Sequence, residues 1–409
     1  MNFGIILKKE ILDNIYNFRY GIILALSVLL IGTSTFTMYR DYCARVENYT
    51  ILLPEEGEAT AIIPPTPLSV FVKGLDDNLT RSYQIDFIGI SLGSSQQAVN
   101  QLFKLFTTPD LLYIIKIVLS LCALLMAYDI VTREKERGTL KLILSNSVKR
   151  PVLLLAKWFG GFISFIVPIL FVFLLMIAIV SMLPMINFTG DDYVKIMMFL
   201  LTSVLYLAVF YTFGFLISCL SVKSVTSLIV SMFFWVIIVF VIPNIGNNIS
   251  KQLVKTNSIE QLQRQQGLAW VGAVNNANRT KDWENIDLGW EKLSFAYDVE
   301  QNKQIKISKT VAQCSPAGLF TLVATDIMNT GLIDQNSLKN DVWQFYKQFE
   351  NAKTDSGGNI KGENTFFSHQ RCSLSDTLSA NAMSFVILMF FVVLFFAGAF
   401  TAFMRYDLR

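Results

Sequence analysis

Long apolar runs separated by polar stretches set the plan of this chain. A helix crossing about 30 Å of hydrocarbon needs roughly 20 apolar residues. Six runs reach that length: 20–39, 110–132, 158–184, 196–220, 225–243 and 377–404. Lys116 and, near the inner boundary, Asp129 interrupt the second run. Pro168 removes a backbone donor inside the third and predicts a kink there.

The intervening segments have patterns of their own. In residues 1–19, Phe3, Leu7, Ile11, Ile15 and Phe18 recur at helical spacing opposite Lys8, Lys9, Asp13 and Asn17. That pattern predicts an interfacial helix along the headgroups; the plainer alternative is a simple extension of the first span. Segment 40–109 carries β-branched and aromatic runs at Tyr49–Leu53, Leu68–Lys73 and Ser82–Ile90, expected as strands, followed by a short helix over Ser95–Phe106. Segment 244–376 reads as mainly helical, with an apolar stretch from Cys314 to Ile333 expected on the outer membrane face and a loop at Gly357–Gly358. The expected fold class is an α-helical integral membrane protein. It has six transmembrane helices, an N-terminal interfacial helix, a small β-rich external insertion and a larger, mainly helical external domain.

Composition agrees with the pattern: 53% of the 409 residues are hydrophobic and 16% charged, against about 25% charged in soluble domains. Disorder and a disulfide scaffold are excluded. No basic run interleaved with aromatics points to nucleic acid. Charge also orients the chain. With both termini cytoplasmic, the inner segments hold 13 Lys or Arg in 53 residues, whereas the long outer segments hold 19 in 203.

Counting excludes most catalytic chemistry. The single His369 cannot supply a two-His metal motif, and Cys43, Cys122, Cys219, Cys314 and Cys372 lack zinc-binding spacing. Gly89-Ile90-Ser91-Leu92-Gly93 matches a nucleophile-elbow pattern, but its segment is too small for the sheet that carries one, so a glycine-flanked turn after a strand is expected. The chain has no Walker A loop, so any ATPase must be another subunit.

The segment 133–157 between the second and third spans is the candidate surface for such a subunit. A charged turn, Arg133 to Arg137, meets an apolar stripe of Leu140, Ile143 and Leu144, as in a helix docked in a groove. By itself the same run also reads as a positive membrane-flanking loop. Glu134-Lys135-Glu136-Arg137-Gly138-Thr139-Leu140, with Leu142, Leu144, Ser145, Lys149-Arg150 and Lys157, resembles the signature of type-2 ABC transporter permeases. The six spans, the preceding interfacial helix and the tail at 405–409 are similar to that family too. Asn146 stands near the place where many members carry a helix-breaking Pro. Pro64 to Phe71 and Ser315 to Leu319 resemble a subgroup with large external insertions.

The resemblance implies a non-catalytic permease subunit of an ABC exporter in a bacterial cytoplasmic membrane. Its coupling helix would carry Glu134, Glu136, Arg137, Gly138, Thr139, Leu140, Ile143 and Leu144. Two ATPase subunits would supply ATP and Mg, with no cofactor bound to this chain directly. A second copy or a related permease, the lipid bilayer and an envelope protein at the external domains complete the implied partners. The alternative is a membrane-anchored receptor or envelope assembly scaffold without transport. Lys116 reads as a snorkelling or paired lysine, or as a substrate contact, and Asp129 as the intrahelical partner of Arg133. Three pairings are open to the external cysteines, with Cys314–Cys372 preferred because both precede the last span.

Overall fold

A computed structural model describes residues 3–52, 60–61, 63–76, 83–86, 89–92, 109–145, 149–256, 259–280, 290–355 and 367–405. Six helices among them are long and apolar enough to cross a membrane: Phe18–Ile51, Leu111–Glu136, Arg150–Ser181, Gly190–Leu220, Ser224–Leu253 and Leu374–Met404, here spans 1 to 6. Each of the six predicted runs falls on one of them. The chain forms two compact units, one of Met1–Trp235 with Phe320–Arg409 and one of Val236–Leu319.

In the first unit, spans 2 and 4 form the interior: 67% and 72% of their apolar stretches are buried within the protein, against 17% for span 6. Gly214 explains how closely the two approach, since a Cβ there would lie 3.1 Å from both the Ala127 Cβ and the Leu124 carbonyl. Small residues at such crossings permit the backbone contact that helices in lipid rely on. Aromatic rings fill the space beside them. Trp158 stacks on Phe162 and meets Tyr211 and Phe396 edge-on, while its indole donates to Thr212 Oγ1 at 3.1 Å.

The helix starts are capped as their sequences require. At span 4, Thr189 and Asp192 form a capping box; at span 6, Ser373 accepts from the Asp376 N–H; before span 2, the Asp110 carboxylate accepts from the Tyr113 N–H. Such caps satisfy amide donors that a helix leaves open at its N-terminus.

A helix, Phe3–Ile15, precedes span 1, with a break at Tyr16 and Asn17. It packs along the start of span 3 with Ile6 buried, while Phe3, Ile5, Leu12, Ile15 and Phe18 stay exposed. Both of its sides are therefore apolar, and the protein-facing side is not the Phe3–Leu7–Ile11–Ile15–Phe18 stripe read from periodicity.

The insertion between spans 1 and 2 departs from expectation at two of three places. Tyr49 to Leu52 are the last turn of the span 1 helix, which continues to Leu52, and Pro67–Val70 form a 3-10 turn. Helix propagation from an established span is easier than starting a new strand, and Pro65 with Pro67 suits a turn. Only the third run forms sheet: β1 (Thr60–Ala61), β2 (Tyr83–Asp86) and β3 (Gly89–Leu92) pair antiparallel in that order. Gly89 to Leu92 are thus strand rather than turn. These short strands are the only sheet among the described residues, which do not show a β-rich insertion. The expected helix over 95–106 and the loop at 357–358 lie outside the described residues.

The helix Pro316–Ile327 begins in the second unit and ends in the first. From Phe320 onward it is core rather than a membrane-surface element. Phe320, Val323, Ala324 and Ile327 are fully buried, and Phe320 stacks on Tyr206 of span 4 with ring centroids 4.3 Å apart. A small cap of Ile63, Leu338 and Val342 packs with Phe345 and Phe367.

The second unit contains helices Ile242–Leu253, Ile259–Thr280 and Trp290–Ala312. Gly246 lets the first and last touch, since a Cβ there would meet the Ser308 carbonyl at 2.9 Å. Ser315 Oγ donates to the Ile238 carbonyl at 2.5 Å and ties the unit's two chain ends together.

Candidate functional site

Segment 133–157 lies at the end of the bundle that carries both chain termini, where Arg150 donates to the Met404 carbonyl at 2.9 Å. Its centre is the helix Thr132–Glu136. Successive residues on a helix point about 100° apart, so Glu134, Lys135 and Glu136 leave in three directions and meet three partners. Glu134 Oε1 accepts from Lys157 Nζ of span 3 at 2.7 Å. Lys135 Nζ donates to the Cys219 and Ser221 carbonyls at the end of span 4, at 2.5 and 3.0 Å. Glu136 accepts from the Ser224 N–H at 2.8 Å and its hydroxyl at 2.7 Å, at the start of span 5.

The last two contacts follow the polarity of a helix. Its C-terminal carbonyls carry partial negative charge and attract a lysine, while its N-terminal amides attract a carboxylate. Ser218 reinforces the link to span 4 by accepting from the Val131 and Thr132 amides at 3.0 and 3.2 Å.

Asp129 pairs with Arg19 at 2.8 Å, joining the start of span 1 to the last turns of span 2, and Arg19 also lies over the Tyr128 ring at 5.5 Å. This corrects the expected Asp129–Arg133 pair. Arg133 bonds along the helix, its N–H donating to the Asp129 carbonyl and its own carbonyl accepting from the Arg137 N–H. The Asp129 carboxylate is buried, and the half-exposed Arg19 reaches it from the start of span 1.

Gly138, with φ at +69°, ends the short helix in the left-handed region that glycine tolerates best. The next helix, Thr139–Ser145, buries Leu140 completely, half-buries Thr139, Ile143 and Leu144, and exposes Lys141, Leu142 and Ser145. The eight residues chosen from the sequence therefore divide. Glu134 and Leu140 face the protein, Glu136 caps span 5, and Arg137 and Gly138 lie exposed beside Lys141 and Leu142.

Sequence reading missed what Glu10, Arg19, Lys135 and Lys157 do. Lys157 had a visible signal, being a lone cation between Ala156 and Trp158 in an apolar run. The other three look like ordinary surface charges until their neighbours are known.

Lys116 sits in a π-helical turn, Ile114–Leu119. Its carbonyl accepts from Ser120 Oγ at 2.6 Å and Tyr206 Oη at 2.8 Å, and Trp235 Nε1 donates to Ser120 Oγ at 3.0 Å. Cys314 is exposed in the second unit, and Cys372 is half-buried in the first, its N–H donating to Asp334.

Buried charge also gathers at the opposite end of the first unit. Arg45 pairs with Asp41 at 3.1 Å and with Asp76, and donates to Ser69 Oγ at 3.0 Å. Burial pushes the Asp76 carboxyl up, an effect that Arg45 opposes. His369 Nδ1 lies 2.6 Å from Asp341 and Nε2 lies 3.5 Å from Asp334. Burial alone would lower its pKa, but the two carboxylates outweigh it and hold the imidazole above its ordinary 6.5.

Six long apolar helices around a knot of charge at one end define a multi-pass membrane protein whose inter-span segments are tied to each other. The sequence profile of the ABC-2 family transporter proteins matches residues 5–408. The chain belongs to that family and is a type-2 ABC transporter permease, a membrane subunit of a kind that implies a partnering ABC ATPase. A search of curated protein sequences returns no match.

Proposed function

We propose that this permease couples ATP hydrolysis by a separate ATPase to export of a substrate across a bacterial cytoplasmic membrane, with both termini cytoplasmic. The observation that carries this reading is the triplet Glu134-Lys135-Glu136, whose neighbouring residues reach three different spans beneath an exposed helix. A push on that helix reaches spans 3, 4 and 5 at once. Arg137, Gly138, Lys141 and Leu142 form the surface offered to the ATPase, with Leu142, 68% exposed, as its apolar anchor. Two ATPases bind ATP and Mg and close on a pair of permeases. Nucleotide shifts the permease only through differential binding of this surface in the open and closed states. The excess of basic residues at this end supports the orientation.

The test is Leu142→Asp in the complex purified with its ATPase and returned to vesicles. ATPase retention is expected to fall at least tenfold while membrane insertion is unchanged. Full retention, with substrate-dependent hydrolysis intact, would refute this surface.

A further inference from the structure

We propose that Lys157 is a positioning residue that locks the N-terminal helix to the coupling segment, making that helix part of the moving lever. This rests on the coupling role proposed above. Lys157 is 2% exposed and donates to Glu10 Oε1 and Glu134 Oε1, each at 2.7 Å. One ammonium thus holds a carboxylate from Phe3–Ile15 and another from the coupling segment, 124 positions apart in the chain. Span 3 is shaped to receive the first. A Cβ on Gly160 would stand 2.8 Å from the Glu10 Cβ and 3.5 Å from the Leu7 carbonyl, so the N-terminal helix lies directly on the span 3 backbone.

The surroundings make this clamp expensive to open. Glu134 Oε2 and Tyr211 Oη are buried with no hydrogen-bond partner among the described residues. Gly161 leaves room for the Tyr211 hydroxyl, which a Cβ there would meet at 2.0 Å. Lys157 itself is buried, and an ion stripped of its partner in such a place is strongly disfavoured. When the coupling segment moves, the N-terminal helix has to move with it. Its far side exposes Ile5, Leu12, Ile15 and Lys8–Lys9, so the lever slides along a lipid surface rather than through protein.

Two measurements test this, and the first needs no ATPase. Spin labels at Lys9→Cys and Ser145→Cys, both exposed, report the distance between the two helices in the full chain in lipid nanodiscs. The wild type and Lys157→Arg are expected to give one narrow distribution and Lys157→Met a broad one; an unchanged distribution in Lys157→Met overturns the clamp. The second measures substrate-dependent hydrolysis in the reconstituted complex. Because Lys157→Met leaves two half-buried carboxylates without their cation and invites misfolding, it is paired with Glu10→Gln/Glu134→Gln/Lys157→Met, which keeps shape and removes every charge. Coupled hydrolysis is expected to fall at least tenfold in the folded triple variant and to survive in Lys157→Arg. Full coupling in the triple variant overturns the positioning role. If no ATPase binds the wild-type chain, the coupling reading fails on its own, and the distance experiment still decides the clamp.

Discussion

The two ends of the first unit both bury charge, but they spend it differently. At the end carrying the termini, Lys135 and Glu136 bind the backbone ends of spans 4 and 5, groups that water can satisfy again once a contact opens. At the opposite end, Arg45 reaches Asp76, whose side chain has no exposure at all. The first kind of contact can be remade during a cycle, whereas the second would strand an ion inside the protein. One end is thus suited to motion and the other to anchoring. Lys157 is the exception at the first end, an anchor-type contact that holds Glu10 and Glu134 on one buried ammonium.

The sharpest way to break this contrast is Arg45→Met. Removing one partner of a buried pair costs about 3–5 kcal/mol, and the loss is expected as faster hydrogen exchange across residues 63–76. Equal loosening of residues 133–145 would show that the ends are not independent. Lys135→Met is expected to cost only about 1 kcal/mol or less, the worth of a charge at a helix terminus. A thermal-unfolding loss as large as that of Arg45→Met would erase the distinction.

The smallest effect is a pH dependence at the anchoring end. His369 is held above 6.5 in the folded protein, so its protonated form binds more tightly there than in the unfolded chain. Its contribution is fully present below 6.5 and is lost as pH rises through the raised folded value. Melting temperature is expected to decline over that window in the wild type and to flatten in His369→Gln. An unaltered slope in the variant would remove His369 as the cause.

Much of the fold was readable from local pattern, and the misses share one cause. Tyr49–Leu52 has strand-like composition, yet it continues a helix already nucleated over the preceding span. The stretch after Ser315 has the apolarity of a membrane-surface helix, but Phe320 finds Tyr206 and becomes core. Glu134 and Leu140 belong to the set implied by the family resemblance, and in the folded chain Glu134 meets Lys157 while Leu140 is buried. In each case the local pattern is silent about what the element continues from or lies against.

The sequence by itself determined the six spans and the N-terminal helix. Crossing hydrocarbon demands about 20 apolar residues with their backbone bonds satisfied internally, a requirement written locally in the chain. Only the tertiary structure decided that Asp129 pairs with Arg19, 110 positions away, rather than with Arg133 four residues on, and that Lys157 joins Glu10 to Glu134. A buried charge takes the partner that packing brings within about 3 Å in a dry place, and sequence spacing does not contain that distance.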